Sequence, residues 1–198
     1  MTTIAANFAT FMARGYLAQR ATVRGLLDEG HGFKVAMLFI ALGYLLEAIL
    51  VKLLVSSSAT ADVPLISFHL LNGIATVCGF LILSGLVFWA GRAMGGVATL
   101  AQSQLAVSWF MLTSSLLTPF AMASLPDQLR NPPQDPNIPL DLSDTNPFPM
   151  FLVAGAVLWL LSSTVAEVHG FSSVWKVAGV ILAIPIGIIL LLSMLGGA

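Results

Sequence analysis

Two long apolar runs, 65–90 and 99–123, are separated by only eight residues, Gly91-Arg92-Ala93-Met94-Gly95-Gly96-Val97-Ala98. Roughly 20 apolar residues suffice to cross a hydrocarbon core of about 30 Å. Each run therefore predicts a membrane span, and a connector too short to recross makes the two an antiparallel hairpin. Further apolar runs predict spans at about 33–55, 148–168 and 174–195, and Pro64 opens the second span where its missing N–H costs nothing. The expected fold is all-α: a bundle of five transmembrane helices over residues 31–198, preceded by an amphipathic segment over 1–30. The stretch 124–147 breaks the pattern. Seven of the ten prolines lie between 124 and 149, among Asp127, Asp135, Asp141 and Asp144, so no regular element persists there and an outer loop is expected.

The first 30 residues carry a helical rather than a spanning pattern. Ile4, Phe8, Phe11, Met12, Tyr16, Val23 and Leu26 share one side of a helix, and Arg14, Arg20 and Arg24 take the other. This predicts a helix lying flat at the membrane surface, its arginines on anionic headgroups, or else packed on the end of the bundle. No basic n-region precedes a continuous apolar run, which argues against a cleaved signal peptide.

Composition supports lipid as the solvent. Of 198 residues, 58% are hydrophobic and 9% charged, against about 25% charged in a soluble domain. A net charge of −1 with no basic patch argues against nucleic-acid binding. The single cysteine, Cys78, excludes an intrachain disulfide and reads as an inert packing residue. Basic residues set the orientation. Arg14, Arg20, Arg24, Lys34, Arg92 and Lys176 fall on one side of a five-span layout, Lys52 and Arg130 on the other. The expected topology is N-terminus cytoplasmic and C-terminus outside.

Ionisable groups inside spans are functional suspects by default. Glu47 and His69 reach similar depths on the first two spans, with Asn72 and Thr113 near that level, forming a polar belt in the outer half. It reads either as interhelical hydrogen bonding or as the relay of a small channel or transporter. A short echo, Glu29-Gly30-His31-Gly32-Phe33 and Glu167-Val168-His169-Gly170-Phe171, precedes the first and fifth spans. Glu29, His31, Glu167 and His169 could bind a divalent metal if the loops met, while helix-entry chemistry accounts for the same letters. Gly179, Ala183 and Gly187 form a small-residue face for helix packing, within the bundle or in a dimer, and Pro185 predicts a kink. Neither G-x-S-x-G nor H-E-x-x-H occurs. The expectation is a non-enzyme without cofactor or resident metal.

The chain resembles the Yip (Ypt-interacting protein) family of polytopic membrane proteins. The similar features are the Gly91 to Gly96 turn followed by Thr99 and Gln102, the polar-small stretch running to Pro119, and the Glu167 to Phe171 approach to the last span. The resemblance covers about residues 15–195. It implies five spans after a cytoplasmic N-terminus, and it carries over no active-site residues. Eukaryotic members are associated with Rab GTPases and vesicle traffic in the ER and Golgi, and carry an Asp-Leu-Tyr-Gly-Pro-like motif. That motif is absent here, which argues against Rab binding and for the short bacterial branch in an inner membrane rather than ER or Golgi. The apolar spans, the flat amphipathic N-terminal helix and the lack of a reactive constellation give the expected role: to organise or recruit other membrane proteins, or further copies of itself, within the bilayer.

Overall fold

The computed structural model describes residues 17–54, 65–123 and 147–183, and every regular element within them is a helix. In chain order these are α1 (Gln19–Asp28), α2 (Phe33–Leu54), α3 (Leu65–Ala93), α4 (Leu100–Ser115), α5 (Thr118–Ala123), α6 (Pro147–Val168) and α7 (Val174–Ala183). Among the described residues, three segments are long and apolar enough to cross a membrane: Phe33–Leu53, His69–Ala93 and Pro147–Val168. The expected loop between 124 and 146, the chain before residue 17 with Arg14, and the end of the fifth expected span with Pro185 and Gly187 lie outside the described residues.

Helix α4 is the centre. It packs against α1, α2, α3 and α6, and ten of its sixteen residues are buried, from Ser103 through Ser115. Trp109, fully buried, meets Phe39 of α2 edge to face with ring centroids 5.5 Å apart. Where α2 crosses α4, Gly43 faces the backbone of Leu112, and a Cβ there would lie 3.2 Å from the Leu112 Cα. The outer faces are apolar instead of polar: Leu38, Leu45 and Ile49 on α2, Leu71, Ile82 and Leu86 on α3, and Phe151 and Leu152 on α6 are all exposed. Such a surface is stable only against lipid.

The third expected span, 99–123, is two helices. α4 begins with a capping box: the Thr99 N–H donates to Gln102 Oε1 (2.8 Å), and Thr99 Oγ1 accepts from the Gln102 N–H (3.3 Å). It ends at Ser115, because Pro119 supplies no N–H for the Ser115 carbonyl. The N–H groups of Leu116 and Leu117 instead reach the carbonyls of Thr113 and Ser114. The hydroxyls of Thr113, Ser114 and Ser115 also bond back onto their own helix, a pattern that bends helices.

The other ends are built on glycine. α3 closes with Gly95 at φ +85, the Gly95 N–H on the Arg92 carbonyl and the Gly96 N–H on the Gly91 carbonyl (2.8 Å). α6 closes in the same way, with Gly170 at φ +72, its N–H on Glu167, and the Phe171 N–H on Ala166 (2.7 Å). Both are Schellman motifs, which satisfy the orphan carbonyls of a helix C-terminus.

Candidate functional site

Three segments distant in sequence meet at one end of the bundle: α1, the turn between α3 and α4, and the turn between α6 and α7. Gln19, Val23 and Leu26 recur at helical spacing and form the buried stripe of α1. Arg20 and Arg24, one turn apart, flank that stripe. Glu167 lies at the C-terminal end of α6, its side chain 5% exposed. Arg20 Nε donates to Glu167 Oε2 at 2.7 Å, and Arg24 Nε to Oε1 at 2.6 Å, so each guanidinium takes one carboxylate oxygen. A second Arg20 nitrogen donates to the Phe171 carbonyl (3.1 Å), and two cations at this helix end suit its dipole. Charge-assisted bonds of this kind contribute about 1.5–3 kcal/mol each when well buried. Arg24 is two-thirds exposed, so its bond is worth less.

Gln19 bridges two further helices. Its Nε2 donates to Thr164 Oγ1 of α6 (2.8 Å), and its Oε1 accepts from Trp109 Nε1 of α4 (3.2 Å). The amide is 3% exposed.

His169 is the C-cap of α6 and is buried. Its Nε2 lies 3.0 Å from the Val87 carbonyl of α3. A carbonyl only accepts, so the ring proton belongs on Nε2, which leaves Nδ1 as a buried acceptor without a partner among the described residues. The ring lies against Gly91 and Gly96, where a Cβ at either position would overlap it. It also stacks on Phe171 at a centroid distance of 5.7 Å and 16°. Burial holds its pKa below the ordinary 6.5, the Arg92 charge pushes the same way, and the Val87 bond opposes both.

The expectations for these residues change accordingly. Arg20 and Arg24 bond a buried carboxylate on α6, a partner that the sequence pattern did not offer. Glu29, His31, Glu167 and His169 do not converge as a donor set, and no group of three or more metal-ligating His, Cys, Asp or Glu forms among the described residues. Glu29 and His31 bond each other at 2.6 Å on the exposed loop after α1. The echo is not structurally equivalent either. Gly30 has φ +67 before His31, whereas Gly170 has φ +72 after His169, so the shared letters stand two positions apart relative to their helix ends.

The polar belt also differs. His69 pairs with Tyr44, whose hydroxyl lies 3.1 Å from Nδ1 and 3.0 Å from the His69 carbonyl, and Glu47 lies on the exposed side of α2. The Asn72 carbonyl accepts from Thr76 on its own helix, and Thr113 bonds to Trp109 and Phe110 carbonyls. Gly179 and Ala183 are exposed on α7, and nothing among the described residues lies against Gly179. Cys78 is exposed on α3 and not an interior residue. Gln19, Trp109 and Thr164 carry no sequence signal of their own, although a glutamine on the apolar stripe of α1 is one that could have been followed.

Residues 15–195 match the family model described as the Yip1 domain. No curated protein and no solved structure shows a match.

Proposed function

The chain belongs to the Yip family and is a multi-pass membrane protein, and from that premise we propose that it is a non-enzymatic scaffold that organises or recruits partner proteins in the membrane. The observation that carries this reading is the Arg20–Glu167–Arg24 cluster. Its ionisable groups are spent on one another, so the cluster holds an element in place and offers no base or nucleophile to a substrate. The element it holds is α1, whose outward positions, Ala21, Arg24 and Asp28, are exposed. A helix fixed to the end of a lipid-embedded bundle gives a partner a rigid surface, and preorganisation lowers the cost of docking.

In this reading α1 and the two glycine turns face the cytoplasm of a bacterial inner membrane, with five spans in all. The basic residues Lys34, Arg92 and Lys176, all exposed near this end, agree with a positive-inside orientation. The partners are other membrane proteins or further copies of the chain, and Rab GTPases are not among them.

Crosslinking in native membranes followed by purification tests the role. Co-purifying membrane proteins should be recovered with the intact chain and lost with Glu167→Gln, which frees α1 without removing a span. Recovery of the chain alone, or of the same partners with Glu167→Gln, would count against it.

A further inference from the structure

His169 joins the C-terminal ends of α3 and α6. Its ring fills the space left by the missing side chains of Gly91 and Gly96 and hangs from the Val87 carbonyl by one hydrogen bond. Gly91 and Gly96 are also the two ends of the backbone bond that closes α3, the Gly96 N–H donating to the Gly91 carbonyl. The side chain that caps α6 therefore sits on the motif that caps α3.

We propose that this contact is a proton-operated joint: closed while His169 is neutral, and opened when the ring takes up a second proton, releasing the α3–α4 turn from the end of α6. The second proton goes to Nδ1. That atom is buried with no hydrogen-bond partner among the described residues, so the proton exchanges an unsatisfied neutral acceptor for an unsatisfied charged N–H, which costs more to bury. The new charge faces Arg92 from the end of α3. The nearby carboxylate that could compensate it, Glu167 on the same helix, has both oxygens held by Arg20 and Arg24 of α1. Uptake of the proton thus favours a conformation in which the ring has left its cradle and reached water. The imidazole is the side chain suited to such a change, since its charge alters between about pH 5 and 8. The joint is independent of the scaffold reading and stands or falls without a partner.

Amide hydrogen exchange on the full chain in nanodiscs tests it, with protection of the Gly95 and Gly96 amides corrected for the intrinsic pH dependence of exchange. Between about pH 7.5 and about pH 5, protection should fall roughly tenfold or more, the effect of leaving one buried charged donor unsatisfied. His169→Gln keeps a donor for Val87 but cannot charge, so its protection should not change. His169→Lys should be unprotected at both pH values. Arg92→Gln, which leaves the joint intact, should move the midpoint of the wild-type change to higher pH. Equal wild-type protection at both pH values, a His169→Gln protein that follows the wild type, or an unmoved midpoint in Arg92→Gln would each overturn the assignment.

Discussion

The side-chain amide of Gln19 donates to the hydroxyl of Thr164 at 2.8 Å, across 145 positions of chain. The same amide accepts from Trp109, so one residue of α1 is tied to both α6 and the central helix. Gln19→Leu removes both bonds while keeping comparable bulk on the buried stripe. Losing two buried hydrogen bonds costs about 0.5–1.5 kcal/mol each, which thermal unfolding in detergent will register as a lower Tm. An unchanged Tm would show that the bridge contributes nothing to stability.

Glu167→Gln should loosen α1 more than it destabilises the bundle. The carboxylate is buried, whereas its two partners are 38% and 66% exposed, so about 1–3 kcal/mol is expected rather than the larger cost of a fully buried pair. Proteolysis or exchange confined to Gln19–Asp28 should accelerate while α3 and α4 stay protected. A double-mutant cycle of Arg20→Ala with Glu167→Gln measures their coupling, and additivity would mean that the pair is not coupled.

Gly91→Ala and Gly96→Ala each place a methyl group where the His169 ring now sits. Overpacking of this kind costs about 1–3 kcal/mol. Pairing Gly91→Ala with His169→Ala should recover part of the loss, because the methyl then has room. Equal destabilisation of Gly91→Ala with and without the ring would place the cause elsewhere.

Stability should fall on acidification through a window set by His169. Its folded pKa is lowered from 6.5, so the unfolded chain binds the proton more readily than the folded one. The stabilising contribution is complete above 6.5, declines as the pH falls from there towards the lowered folded value, and is absent below it. Subtracting the His169→Gln unfolding curve from the wild type isolates this term. Identical pH slopes in the two proteins would remove it.

Ser163→Ala should be neutral or stabilising by up to about 1 kcal/mol. The hydroxyl of Ser163 is buried with no hydrogen-bond partner among the described residues, and removing such a group relieves its desolvation cost. A marked drop in Tm would reveal a partner for it.

Much of the architecture can be read along the chain because lipid imposes a simple pattern. Apolar runs mark the three long helices, and the glycines after Gly91 mark a turn. Thr99 and Gln102 stand at the spacing of a helix start. Pairing across the fold is another matter. Nothing local distinguishes an arginine bound for a headgroup from one bound for Glu167, since both sit on the flank of an amphipathic helix. Depth arithmetic brings Glu47 level with His69, but rotation about each helix axis decides contact, and it delivers Tyr44 instead. His169 was visible as half of an echo with His31. Its true partners, Gly91 and Gly96, are recognisable only by the side chains that they lack.

The central position of α4 also bears on how the protein is made. Gln102, Ser103 and Gln104 fall in its first half and Ser108 opens the second, and its sixteen residues extend about 24 Å, short of the hydrocarbon thickness of about 30 Å. Presented singly at the translocon, such a segment partitions poorly. Delivered together with α3, whose longer and greasier stretch precedes it by one tight turn, it enters as half of a helical hairpin. A ribosome-nascent chain lacking α3 should then leave α4 outside the bilayer, and insertion of α4 without α3 would show that it enters alone.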